Sequence, residues 1–152
     1  MKPVALASDH GGFAIKELVK GVLDVRGIPY TDYGTNSDES CDYPDFGAPA
    51  ARAVSEGTSD KAIISCGSGA GMTIVANKFP GVRAVNCYDE WITLLSRQHN
   101  DANVMALGER DIDPDEARRL VGLWLDTPFE AGRHARRVSK ISELERSPET
   151  AI

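Results

Sequence analysis

Residues 62–78 read AIISCGSGAGMTIVANK, and this stretch decides the fold. An apolar, β-branched run ends at Cys66, three alternating glycines (Gly67, Gly69, Gly71) make a tight turn, and a helical pattern follows from about Gly71 to Lys78. Cys66 therefore stands at the carboxyl end of an expected parallel strand, facing the backbone N–H groups that open the next helix. Those N–H groups and the helix dipole favour negative charge. They would favour a thiolate over a thiol and would hold an oxyanion or a phosphate. A base beside an anion cradle points to chemistry on small anionic molecules.

The same alternation continues on both sides. Strands are expected over Pro3–Ser8, in IPYTDYG ending at Gly34, over Lys61–Cys66, Val82–Cys87 and Asn103–Gly108. Helices are expected over about Phe13–Arg26, Pro44–Val54, Gly71–Lys78 and Glu90–Arg97. Another starts at Asp113-Pro114, where Asp caps the first turn and Pro opens it, and carries Leu120, Leu123, Trp124 and Leu125. A last helix is expected over Glu130–Glu145, followed by a polar tail at 147–152 that should fray. Strands alternating with helices imply an α/β fold: a doubly wound, five-stranded parallel sheet in a three-layer α/β/α arrangement, one domain over 1–146. In such sheets ligands bind at the carboxyl ends of the strands. Asp9 and His10 fall there, as does Cys66.

Composition excludes several classes. The chain has 152 residues, 41% hydrophobic and 26% charged, as expected for one soluble domain with a core. A net charge of -6 argues against nucleic acid or an anionic membrane as partner, though local arginines can still bind an anionic substrate. No apolar run approaches the ~20 residues of a membrane span, and the N-terminal run reads as a strand rather than a signal peptide. Cys41, Cys66 and Cys87 are an odd number without metal-ligand spacing, which suits free thiols in a reducing cytoplasm. Cys87 reads as core and Cys41 as incidental. No His, Cys, Asp and Glu set has metal spacing, so no metal is expected.

Each motif has a plainer alternative. GSGAG resembles a dinucleotide fingerprint with Asp89 downstream for a ribose, but it follows the third strand rather than the first; it could also be a turn with no ligand. It lacks the GK[ST] ending of a Walker loop, and Thr73 stands where a tyrosine-phosphatase loop needs Arg. Asp9 suits sugar hydroxyls and His10 could donate to hydroxyl or phosphate. SRQHNDAN (96–103) is either a solvated loop or the seat of a proton-moving His99. Arg133 and Arg137 share a helix face with Arg136 adjacent: a basic surface or a phosphate clamp. A thiol redox protein is a further reading, but no C-x-x-C partner accompanies Cys66.

Together, SDHGGFAIK, DYGTNSDESCDYPDF, SCGSGAGMTIVANKFPGVRA, LSRQHNDANVMALGER and FEAGRHARRV resemble the ribose-5-phosphate isomerase B family, within the group that includes galactose-6-phosphate isomerase. The resemblance spans nearly the whole chain. It implies a Rossmann-like fold, a homodimer or homotetramer, a site shared between two subunits, and no metal or redox cofactor. It implies that Cys66 is the base moving a proton between carbons 1 and 2 of ribose 5-phosphate, and that His99 is the acid that opens the sugar ring. Asp9 and His10 would contact substrate, Tyr43 would line the pocket, and Gly67, Ser68, Gly69, Ala70 and Gly71 would cradle the enediolate. Asn100, Arg110, Arg133 and Arg137 would complete binding, largely at the phosphate, with His134 as a further contact. Ser68 stands where many relatives have Thr, and GMTIVANK lacks the Glu that serves as base in some, so that role stays on Cys66. The His99-Asn100 pair and the C-terminal arginines favour ribose 5-phosphate over the galactose 6-phosphate branch of the family; a six-carbon substrate, allose or galactose 6-phosphate, is the alternative.

Overall fold

In the computed structural model, residues 1–146 are described; the tail expected at 147–152 lies outside them. The strands are β1 (Val4–Ser8), β2 (Tyr30–Asp32), β3 (Ala62–Cys66), β4 (Ala84–Asn86) and β5 (Val104–Gly108). The helices are α1 (Phe13–Val25), α2 (Tyr43–Ser55), α3 (Ala70–Ala76), α4 (Glu90–Gln98), α5 (Pro114–Asp126) and α6 (Arg133–Glu143). A single 3-10 turn, His10–Gly12, precedes α1. All strand pairs are parallel, in the order β2-β1-β3-β5-β4. No helix among the described residues is long and apolar enough to cross a membrane.

Side-chain alternation along the strands divides the core in two. Ala5, Ala7, Ala62, Ile64, Cys66 and Ala106 face one layer with Ala50, Ala51 and Met72. Leu6, Ile63, Met105 and Leu107 face the other with Ile15, Val19, Leu23, Leu120 and Trp124. The first layer belongs to α2 and α3, and its small side chains let those helices approach closely. The second belongs to α1 and α5. Each fully buried Leu or Ile contributes about 1.5–3 kcal/mol relative to exposure.

The interior strands match the sequence expectation to within a residue. The edge strands β2 and β4 are shorter than expected, because each has one neighbour and its outer residues run into turns. The last helix begins at Arg133, not Glu130, because Ala131 and Gly132 both take φ 56, which breaks a helix. Asp113 caps α5 as expected, its Oδ1 accepting from the Glu116 N–H at 2.9 Å.

Connection direction reverses between β1 and β3. From β1 the chain moves outward to β2; from β3 it moves to the other side of the sheet. The crevice at the carboxyl ends of these two strands is the place where such sheets bind ligands.

Candidate active site

That crevice opens into a cavity of about 400 Å³. Asp9 and His10 enter it from the end of β1, Cys66, Gly67, Ser68 and Gly71 from the turn after β3, Arg110 and Asp111 from the end of β5, and Tyr43 from the start of α2. Of the residues expected from the sequence, these include Asp9, His10, Tyr43, Cys66 and Arg110.

Missing side chains allow the close approach of these segments. A Cβ on Gly12 would overlap the backbone of Ser65 and Cys66, so β1's exit lies directly on β3's end. The Asp9 carboxylate accepts from the Gly12 N–H at 3.0 Å and Ser65 Oγ donates to Gly12 O at 2.8 Å, locking the two ends together. A Cβ on Gly71 would meet the Tyr43 ring at 2.7 Å, so the ring lies on the start of α3. The Glu109 N–H donates to Cys66 O at 2.9 Å and the Arg110 N–H to Gly67 O at 3.0 Å, carrying the sheet pairing into the loop.

Cys66 is buried at 4% exposure, yet its residue lines the cavity. The Gly69 N–H donates to its Sγ at 3.2 Å. The Ala70 N–H donates to Ser68 Oγ at 3.2 Å. Two N–H groups of the Gly67–Gly71 segment are thus engaged within the loop. Asp89, the alternative ribose contact, caps α4: its Oδ1 accepts from the Ile92 N–H at 2.9 Å. Cys87 is core as expected, with burial pushing its thiol up to about 11.

Cys41 is not incidental. Its N–H donates to His10 Nδ1 at 3.2 Å and its Sγ lies 3.9 Å from the same nitrogen. A neutral His10 held this way carries its proton on Nε2. Glu109 was also missed: its Oε1 accepts from the Ile15 N–H at 3.0 Å, at the start of a helix whose own N-cap is a glycine. Lys16 and Lys20 both pair with Asp32. Burial opposes the charge on Asp32, but the two lysines and the Gly34 N–H outweigh it and hold its carboxyl below the usual range.

His99, Asn100, Arg133 and Arg137 do not line this cavity. His99 caps the end of α4, a helix that returns from the carboxyl end of β4 to the amino end of β5. The Arg83 guanidinium, just before β4, donates to Asn100 O and Asp101 O, both at 3.1 Å, which fixes that end. Cys66 pairs with Gly108 at the far end of β5. Within one chain, roughly 13 Å of strand separates the two ends of the sheet.

The second group has its own geometry. The His99 and His134 rings stack at 4.1 Å, 11° from parallel. Glu130 Oε2 lies 3.8 Å from His134 Nε2. Burial, then the His99 ring, then Arg133 hold His134 below the usual imidazole range, against the pull of Glu130. Ligand atoms of His99, Glu130 and His134 lie within 4.8 Å of one another, a grouping the linear spacing did not reveal. Near-parallel rings aim their nitrogen lone pairs side by side rather than at one point, so the arrangement is a ring stack with a flanking carboxylate. Arg133, Arg136 and Arg137 are exposed on α6.

The fold is a doubly wound parallel α/β sheet with a cavity and a strand-end thiol at its switch point. Residues 4–141 match the ribose/galactose isomerase family model. The chain is 43% identical over 145 residues to ribose-5-phosphate isomerase B of Escherichia coli, covering 95% of this chain and 97% of that one. It is 38% identical over 146 residues to D-erythrulose-4-phosphate isomerase of Pectobacterium atrosepticum, covering 95% and 96%. The structure of Clostridium thermocellum ribose-5-phosphate isomerase B superimposes with a TM-score of 0.92 at 48% identity, over 95% of this chain and 97% of that one. The chain belongs to the ribose/galactose isomerase family, and it is a sugar-phosphate isomerase.

Proposed function

We propose that this enzyme interconverts ribose 5-phosphate and ribulose 5-phosphate through an enediolate, with Cys66 as base. The observation that carries this reading is the sulfur at the switch-point cavity, with the Gly69 N–H 3.2 Å away and Arg110 on the same wall. Cys66 thiolate takes the proton from carbon 2 of the open-chain aldose. The C2–H electron pair becomes the C1–C2 double bond as the carbonyl pair moves onto O1; the O2 proton passes to O1, the pair left on O2 forms the carbonyl at carbon 2, and Cys66 returns its proton to carbon 1. The Ser68 hydroxyl, already accepting from Ala70, keeps its own proton to donate to an enediolate oxygen. Asp9 has one carboxylate oxygen at Gly12 and offers the other to a sugar hydroxyl. His10 presents Nε2–H as a neutral donor.

Ring opening needs an acid, and within one chain His99 lies at the wrong end of the sheet. The reading therefore requires a second copy: a homodimer, or a tetramer of such dimers, in which His99, Asn100, Arg133 and Arg137 of one protomer meet the cavity of the other. Exposed Ile74, Tyr88 and Trp91 supply apolar surface for such an association. Three unpaired thiols suit the reducing cytoplasm.

Chain length of the sugar is tested directly by a coupled assay of four-, five- and six-carbon aldose phosphates, with EDTA as a metal control. The expected outcome is the highest kcat/KM on ribose 5-phosphate, unaffected by EDTA. A higher value on another length reassigns the substrate and leaves the isomerase chemistry in place.

A further inference from the structure

The geometry points to Asn86 as the residue that positions the Gly69 N–H on the Cys66 sulfur, an inference that rests on Cys66 being the base. Asn86 ends β4, an edge strand, and contributes nothing to the lining of the cavity. Its Nδ2 donates to the Ser68 carbonyl oxygen at 3.0 Å. In a trans peptide the carbonyl and the N–H of one plane point in opposite directions. The Ser68–Gly69 plane therefore has its oxygen held by Asn86 and its N–H directed at Cys66 Sγ, 3.2 Å away. If that plane turned, the sulfur would lose its donor.

Three further features favour this orientation. Asn86 Oδ1 is buried without a hydrogen-bond partner and lies against Gly69, where a Cβ would overlap it. An unpaired buried oxygen of this kind is costly, commonly by ~1–3 kcal/mol, so the side chain is held here by the bond its other end makes. Exchanging the amide's oxygen and nitrogen would set oxygen against the Ser68 oxygen, so the donor assignment follows from its partner. Gly69 takes φ 82, a left-handed conformation that glycine adopts without strain, and a Cβ on Gly108 would lie 2.5 Å from Ser68 O. The loop is thus seated on the end of β5 with its one turned plane pinned from β4.

The charged and titratable groups around the sulfur are Asp9 and His10 from the end of β1, Arg110 and Asp111 after β5, and Tyr43 from α2. Replacing Asn86 leaves all of them unchanged. Asn86→Leu keeps the branching of the side chain and removes the donor. Asn86→Asp keeps the shape and sets a carboxylate against the Ser68 oxygen. The readout is iodoacetamide alkylation of Cys66 against pH, mapped by mass spectrometry, alongside kcat and KM. Buried Cys87 serves as an internal report of the fold, since it stays unreactive in an intact core.

The expected result in both variants is a Cys66 alkylation profile moved to higher pH, so that the rate at pH 7 falls about tenfold, with kcat falling in parallel and KM nearly unchanged. An unchanged profile in variants that keep Cys87 protected overturns the inference. A shifted profile with unchanged kcat supports the role of Asn86 at the sulfur and removes Cys66 as the base. The unsubstituted protein offers a check that needs no variant. The Gly69 amide resonance should follow the Cys66 titration, and one Asn86 side-chain proton should exchange slowly with water. A Gly69 resonance that ignores the titration overturns the inference.

Discussion

Two groups of polar side chains carry the chemistry proposed for this enzyme, and they are built in opposite ways. The group at Cys66 is held by backbone: glycines without Cβ atoms, carbonyls and N–H groups of three strand ends locked within hydrogen-bond distance. The group at His99 and His134 is held by side chains, a ring stack beside arginines exposed on a terminal helix. The first is anchored at the ends of β1, β3 and β5, which hydrogen bonds tie together. The second rests on α6, whose only buried residue is His134, so its placement depends on what covers that helix. A site that must fix reacting carbons belongs on the first kind of scaffold; a clamp for a distal phosphate tolerates the second.

The largest expected effect falls on the backbone-held group. Cys66→Ala should fold normally and lose about 10³-fold in kcat, the scale of a general base, while still binding sugar phosphate. Residual turnover within tenfold of the parent would show that the proton is moved by another group.

Mixing tests whether the two groups meet across protomers. Cys66→Ala and His99→Asn are each expected to be inactive alone. Co-refolded in equal amounts, half the dimers are mixed and each has one intact site, so activity should recover to about a quarter of the parent value. No recovery would place both groups of one site in the same chain.

Arg133→Ala should raise KM about tenfold through loss of a charge-assisted phosphate contact, with a smaller change in kcat and no change in thermal stability. An unchanged KM would remove Arg133 from the clamp.

The smallest effect concerns pH. His134 is held below its usual range, so as pH falls the unfolded chain binds this proton before the folded one. Its contribution to stability is therefore present above about pH 6.5 and declines as pH falls through that unfolded value. Thermal midpoints taken between pH 7.5 and 5 should fall more steeply for the parent than for His134→Gln. Equal slopes would show that the stacked ring titrates as it does in the unfolded chain.

The sequence by itself determined the alternation of strands and helices, the strand-end position of Cys66, and the cap at Asp113. Each of these is written in residues a few positions apart, where periodicity, glycine and capping chemistry act locally. For His99 and the arginines the local pattern left two readings open, and resemblance chose between them. Only the tertiary structure decided that Asn86 reaches the Ser68 carbonyl, that Glu109 caps α1 and that the Cys41 N–H sets the proton on His10. It alone separated His99 from Cys66 by the length of the sheet. Those facts join residues from 18 to 94 positions apart in the chain, and such contacts exist only once the strands have taken their order and register.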